Sequence, residues 1–227
     1  MFKTETHLHT SNVSLCARLS ASEMIDIYHN AGYKTVFVSD HFHKACMDRY
    51  GDIPWTDKIA SFVSGYEEAK EAGKKYGMNV ILAAEFGFVN AFPYNHYLAY
   101  GVTADFLAKC EKILEQDISA LAPFAKQNNI FLVQAHPYRD EECFPTPEYV
   151  DAIEVYNSNP GHRDFSEKSF ELAKKHGLYM TAGSDAHGNK CAARSGVLSE
   201  CEIKTAQDFI ELIKSGKAEI VFDKEVF

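Results

Sequence analysis

The feature that most constrains this chain is the recurrence of histidine, aspartate and glutamate at the same end of successive short apolar runs. His7 and His9 straddle the end of a first run, Lys3–Leu8; Asp40 and His41 follow a second, Thr35–Ser39; Glu85 closes a third, Val80–Glu85. His136 follows Phe131–Ala135, and Asp185 and His187 follow Tyr179–Ser184. Two further runs, Tyr97–Gly101 and Ala152–Tyr156, complete the set, with His96 at the start of the former. Several runs are β-branched or aromatic and bounded by turn formers, which predicts strands.

The stretches between them read as helices. Ser20–Ala31 opens on a serine cap, has Glu23 at capping-box spacing and stops at Gly32. Ile59–Tyr76 precedes Gly77, Ala104–Asn128 is read as helical with a break near Pro123, Arg163–His176 ends at Gly177, and Thr205–Ser215 ends at Gly216. Strand–helix alternation predicts an α/β fold around a parallel sheet, either open or closed into a barrel. In such folds the carboxyl ends of the strands converge on one face, where residues distant in sequence meet. Taken singly, an HxH pair, a carboxylate at a strand end or a His–Pro turn is ordinary. Their common placement is not, and it predicts one shared cluster.

The donor types indicate what such a cluster would hold. Imidazole and carboxylate suit zinc, manganese or iron better than calcium, which prefers oxygen alone. His7, His9, His41, Glu85, His96, His136, Asp185 and His187 are too many for one tetrahedral ion. They call for at least two, with Glu85 a bridging carboxylate able to keep ions within the roughly 4 Å useful for two-metal hydrolysis.

The rest of the sequence narrows the setting. A chain of 227 residues can bury one substantial core, and 46% hydrophobic with 24% charged residues is ordinary for a globular protein. Without repeat, low-complexity tract or linker, 1–227 reads as a single domain. No apolar stretch nears the roughly 18 residues of a membrane span, and the start, MFKTETHLHT, lacks a secretory core, so cytoplasm is the default expectation. Six scattered cysteines without a CxxC pair read as reduced thiols. A net charge of −9 argues against a general nucleic-acid surface, although bound divalent cations would make a pocket locally positive.

Several motifs, taken in order, resemble the PHP family, named for polymerase and histidinol phosphatase. They are HLHT at His7–Thr10, SDH at Ser39–His41, AAE at Ala83–Glu85, NHYLAYG at Asn95–Gly101, AHP at Ala135–Pro137, IEVYN at Ile153–Asn157 and SDAH at Ser184–His187. The resemblance implies a distorted (β/α)7 barrel with up to three metal ions at its carboxyl face. It assigns His7, His9, Glu85 and Asp185 to a first ion, Glu85, His96 and His136 to a second, and His41 and His187 to a third. The chain departs from the family shortly after His9, where an aspartate or histidine is common and Ser14 and Leu15 stand instead. Cys16 is close by, and a thiolate is a competent zinc ligand, so Cys16 is the candidate to complete the third set.

The resemblance also implies hydrolysis of a small phosphomonoester, such as histidinol phosphate or a nucleotide. Water made acidic between two metal ions would attack phosphorus in line with the leaving alcohol. Asp40 is expected to orient the site, and Arg194, then Arg18, to grip the phosphate, since guanidinium pairs bidentately with its oxygens. Asn157 is a candidate to face the pocket and His43 to donate a proton to the leaving group. The long connections Phe42–Trp55 and Pro137–Tyr149 are candidate walls or lids. A phosphodiesterase or nuclease on the same cluster, and a metal-containing binding module, are the alternatives. No basic, aromatic-studded tract supports an extended nucleic-acid groove. An amidohydrolase would want a metal-bridging lysine, and no strand end offers one.

Overall fold

The computed structural model describes residues 1–88, 94–161 and 165–222. The strands are β1 (Phe2–Leu8), β2 (Tyr33–Val38), β3 (His41–Phe42), β4 (Asn79–Gly87), β5 (His96–Tyr100), β6 (Phe131–Ala135), β7 (Ala152–Asn157), β8 (Tyr179–Gly183), β9 (Gly196–Ser199) and β10 (Glu219–Val221). The helices are α1 (Ala21–Asn30), α2 (Lys44–Asp48), α3 (Trp55–Lys74), α4 (Ala104–Ala108), α5 (Ile118–Gln127), α6 (Ser166–His176) and α7 (Ala206–Ser215). All seven expected strands are present. The sheet runs β10-β9-β1-β2-β4-β5-β6-β7-β8, with β3 paired to β4. Beyond β8 the chain bridges back to β1, where Leu8 pairs with Ala186, His9 N donates to Ala186 O at 3.0 Å and Ala186 N donates to His7 O at 3.2 Å. The sheet therefore nearly closes, as the distorted barrel requires.

Direction within the sheet departs from the all-parallel expectation. β5 runs antiparallel to both β4 and β6, and β9 and β10 form an antiparallel pair on the flank of β1. Reversal of β5 explains why His96 begins its strand while the other candidates end theirs. The amino end of an antiparallel strand lies on the same face as the carboxyl ends of its neighbours, and His96 pairs with Gly87 on one side and Ala135 on the other.

Local capping sets the helix limits. In α1, Ser20 Oγ accepts from Glu23 N while Ser20 N donates to Glu23 Oε2 at 2.8 Å, the expected capping box. Gly177 and Gly216 end α6 and α7 with φ of +65° and +69°, a conformation glycine adopts without steric cost. The stretch 104–128 is not one helix broken at Pro123. Thr103 caps α4, Asp117 caps α5 by accepting from Ser119 N, and Pro123 lies inside α5. Helix α3 starts four residues before the expected Ile59, directly after Pro54, and Arg163 lies outside the described residues.

Below the candidate site, Phe37, Tyr100 and Phe209 pack ring on ring at centroid separations of 4.7–5.1 Å. This packing fixes β2 and β5 relative to α7. No described helix is long and apolar enough to cross a membrane.

Candidate metal centre

Strand pairing brings the site together. In the register of β3 and β4, His41 faces Glu85, and its Nδ1 lies 2.6 Å from Glu85 Oε2. On β5, His96 sits on the same face, with Nδ1 3.0 Å from Glu85 Oε1. Gly87 makes room for it, since a Cβ there would come within 3.2 Å of the His96 ring. From the other side of the barrel, His7 Nε2 and His136 Nε2 each reach Glu85 Oε1 at 3.2 Å, and His9 Nε2 lies 3.5 Å from Oε2. Five imidazoles thus surround one fully buried carboxylate.

Asp185 forms a second acidic pole. Its Oδ1 lies 3.2 Å from His9 Nε2, 3.4 Å from His7 Nε2 and 3.4 Å from His187 Nδ1. Four sets of three have their ligand atoms mutually within 4.8 Å: His7, His9 and Asp185; His7, Glu85 and His136; His41, Glu85 and His96; and His9, His41 and His187. The eight histidine and carboxylate residues nominated from the sequence are therefore together, and Cys16, the ninth nominee, is in none of these four sets. The sets overlap more than the family division anticipates, because His96 groups with His41 rather than with His136.

These residues fit divalent cations on structural grounds. His7 Nε2, His9 Nε2, His41 Nδ1 and Glu85 Oε2 are buried and make no well-formed hydrogen bond, although they converge on one another. Buried polar atoms are ordinarily satisfied, and a shared cation would satisfy these. The electrostatics agree. Although burial opposes ionisation, His96, His7 and His41 hold Glu85 well below the usual carboxylate range, and His7 and His9 do the same for Asp185. Burial also opposes a charge on His7, yet Asp185, Glu154 and Glu85 push its pKa well up. His9 is driven well down by burial and by His41 and His187.

A ring of further side chains fixes the imidazoles. Glu154 Oε1 accepts from His7 Nδ1 at 2.9 Å, leaving Nε2 to point into the cluster, while Oε2 accepts from His136 N at 3.0 Å and Asn157 Nδ2 at 2.8 Å. Glu5 Oε1 accepts from the main-chain N–H groups of Thr6, His7 and Ser184, and Tyr28 donates to Oε2 at 2.6 Å. Asp40 accepts from Thr10 N, Thr10 Oγ1 and Ser14 Oγ, each at 2.7 Å. With its proton directed to Asp40, Ser14 Oγ is free to accept from His9 Nδ1 at 3.4 Å and from His41 N at 3.0 Å. Glu5, Glu154 and Ser14 were not foreseen in these roles. The available signals were an acid inside the apolar run IEVYN and the alternation of Glu5, His7 and His9 on one side of β1.

The backbone is unusual at two of these residues. His136 and Asp185 have φ of +29° and +48°, in or near the left-handed region that costs a residue with a Cβ of order 1–3 kcal/mol. His136 directly follows β6 and Asp185 lies two residues beyond β8, where the turn aims the side chain back over the barrel mouth.

The proposed substrate residues are placed less centrally. Arg194 is half-buried, its guanidinium donates to Lys190 O at 3.1 Å, and its main-chain N donates to Ser184 Oγ. Arg18 is exposed and its main-chain N donates to His187 O at 2.8 Å. Asn157 is half-buried, and its amide donates to Glu154 Oε2 at 2.8 Å. Asp40 is 2% exposed and contacts Thr10 and Ser14, so its place is in the support of the loop after β1. His43 is half-buried, and burial with His41 and His96 lowers its pKa to about 4. Cys16 lies beside the third set, with Sγ 3.2 Å from His41 Nε2. Burial opposes its ionisation, but His187 and His41 bring the thiol down to about 6. The Phe42–Trp55 connection carries β3 and α2, and Pro137–Tyr149 ends in a 3-10 turn at Pro147–Tyr149.

Comparison with known proteins bears on the fold. A PHP-associated family model matches residues 165–218, which span α6, β8 and α7. The chain is similar to a two-domain protein from Bacteroides vulgatus that contains a predicted PHP-like metal-dependent phosphoesterase, with a TM-score of 0.73 and 16% identity. That match covers 98% of this chain and 65% of the other, so the chain spans less than two thirds of that relative. It is also similar to a protein from Bifidobacterium adolescentis described as a metal-dependent phosphoesterase, with a TM-score of 0.54, 16% identity and coverage of 94% and 96%. An amidohydrolase from Chromobacterium violaceum, with bound sulfate and no metal, matches with a TM-score of 0.63, 14% identity and coverage of 98% and 99%. No curated protein sequence matches the chain. At these identities the likeness is one of fold, and the fold is PHP-like.

Proposed function

We propose that this chain of PHP-like fold is a metal-dependent phosphoesterase, acting over 1–227 as one catalytic unit on a small phosphomonoester. The observation that carries the reading is the enclosure of Glu85 by the imidazoles of His7, His9, His41, His96 and His136, all within 3.5 Å. Two or three divalent ions (zinc, manganese or iron) held by these residues with Asp185 and His187 would supply the Lewis acidity that acidifies water and neutralises phosphoryl charge.

The protein's own part is to aim and to exclude. Glu154 holds the proton of His7 on Nδ1, Ser14 holds that of His9 on Nδ1, and the Asp185 carbonyl accepts from His187 Nδ1 at 2.9 Å. Each Nε2 lone pair is thereby directed inward. Asp40 keeps Ser14 in place and is a positioning residue. The buried walls keep bulk water from competing for these donors, which strengthens every charge interaction inside. Water would attack phosphorus in line with the leaving alcohol, the P–O ester bond would break, and a proton lost by the water would leave on the alcohol. Arg194 and Arg18 are the side chains proposed to meet phosphate oxygens, since both are tied through their main chain to the loops that carry Asp185 and His187.

The test is hydrolysis of p-nitrophenyl phosphate against its bis ester by metal-analysed protein with manganese or zinc added. Turnover of the monoester in preference to the diester, abolished in His136→Ala and Asp185→Ala with fold retained, is the expected result. Preference for the bis ester would replace the reading with a phosphodiesterase. Tight metabolite binding without hydrolysis across a panel of phosphorylated metabolites would replace it with a binding module.

A further inference from the structure

We propose that Cys16 completes, with His9, His41 and His187, a site of three imidazoles and one thiolate that selects a thiophilic divalent ion, while the carboxylate-rich sites around Glu85 and Asp185 accept harder ions. The inference rests on the metal-dependent reading above and adds to it that the cluster is heterometallic by construction.

The three imidazoles are oriented for this. His41 Nδ1 is turned to Glu85 at 2.6 Å, His187 Nδ1 to the Asp185 carbonyl at 2.9 Å, and His9 Nδ1 to Ser14 at 3.4 Å. His187 Nδ1 and His9 Nδ1 each have a partner that can accept a proton, and the Nδ1 side of the His41 ring is turned to Glu85, so the Nε2 atoms remain as ligands. His9 Nε2 is buried and makes no hydrogen bond.

For His41, His187 and Cys16 the spacing is close to that around a tetrahedral ion. Metal–nitrogen bonds of about 2.05 Å place two ligand nitrogens roughly 3.3 Å apart, and a metal–sulfur bond of about 2.3 Å places sulfur and nitrogen roughly 3.6 Å apart. His187 Nε2 and His41 Nε2 are separated by 3.4 Å, and Cys16 Sγ and His41 Nε2 by 3.2 Å. The ligand nitrogens of His9, His41 and His187 all lie within 4.8 Å of one another.

The loop bearing Cys16 is held on both sides. Ser14 N donates to Thr10 O at 2.8 Å, Ala17 N to Ser14 O at 3.0 Å and Arg18 N to His187 O at 2.8 Å. The same loop therefore carries the sulfur and is bonded to the residue it would share an ion with. Thiolate favours zinc, cobalt or ferrous iron over magnesium and manganese, whereas carboxylate oxygens accept the harder ions. The other exposed thiol, Cys201, follows β9 on the flank of the sheet and serves as an internal control.

The experiment is cobalt titration of the full chain after chelator treatment, followed by absorption spectroscopy, with wild type and Cys16→Ser in parallel. The expected result is a thiolate-to-cobalt charge-transfer band in the near ultraviolet for wild type. Loss of that band in Cys16→Ser, with ligand-field bands from the other sites retained, supports the inference. On wild type alone, added zinc should protect Cys16 but not Cys201 from iodoacetamide, read by mass spectrometry, and that protection should survive a large excess of manganese. Cobalt binding without a charge-transfer band, or a band unchanged in Cys16→Ser, overturns the thiolate ligand and leaves the hydrolase reading standing. No cobalt binding at all overturns both.

Discussion

Glu154 Oε1 lies 2.9 Å from His7 Nδ1, and neither side chain has any solvent exposure. The carboxylate and the imidazole approach from β7 and β1, strands that are not neighbours in the sheet, across the interior of the barrel. The pair fixes which nitrogen of His7 faces the cluster, and it raises that nitrogen's basicity as a ligand. Glu154→Gln keeps the shape and removes the charge. We expect it to lower metal affinity by about 10- to 100-fold, the usual effect of losing such an outer partner. Competition with a chromogenic chelator measures this, and an affinity equal to wild type would reduce Glu154 to a packing role.

Gly183 ends β8 against this same pair. A Cβ there would meet His7 Cβ at 2.5 Å and Glu154 Oε1 at 2.8 Å. Gly183→Ala is expected to cost about 1–3 kcal/mol by overpacking and to lower metal affinity as well. Gly177→Ala is the contrast, since Gly177 has φ of +65° and open space around its Cβ position. That variant should lose stability through backbone strain while binding metal normally. Thermal melts with and without added zinc separate the two.

Asp40→Asn tests support rather than chemistry. The carboxylate accepts three hydrogen bonds within the loop after β1, and an amide cannot accept them all. The expected effect is a destabilisation of about 1–3 kcal/mol, the cost of leaving buried donors unsatisfied. Turnover per fully metal-loaded molecule should change little. A collapse of kcat in the loaded, folded variant would instead put Asp40 in contact with substrate.

Metal affinity should rise with pH. Acidic neighbours push His7 and His41 well up despite burial, so metal-free protein carries protons on these rings near neutrality. A metal ion must displace them, and each proton released makes binding stronger as pH increases. Binding to the native state alone also raises the melting temperature, with about 2.7 kcal/mol of stabilisation when free metal is 100 times Kd. Calorimetry in buffers of differing ionisation enthalpy counts the protons. A proton count of zero at neutral pH would contradict the picture.

Most of the candidate site was legible because strand ends in an α/β sheet share a face. That rule collected His7, His9, His41, Glu85, His136, Asp185 and His187 without knowledge of pairing. It could not explain His96, because apolar periodicity carries no information about strand direction, and only the reversal of β5 brings its first residue to the same face. Glu154 and Ser14 were hidden for a different reason. Their roles depend on partners more than a hundred residues away or on one rotamer of a short side chain. The single helix expected over 104–128 divided because Thr103 and Asp117 cap two separate segments, and caps compete locally with propensity. The short antiparallel pair β9–β10 offers too few residues for alternation to register.

The positive φ angles of His136 and Asp185 have a consequence for anyone seeking a hardier version of this protein. A search for stabilising substitutions guided by backbone conformation alone will favour glycine at both positions, since glycine removes the steric penalty there. Each such change also deletes a side chain the cluster uses. Natural selection and laboratory thermostabilisation would therefore pull in opposite directions at these two positions.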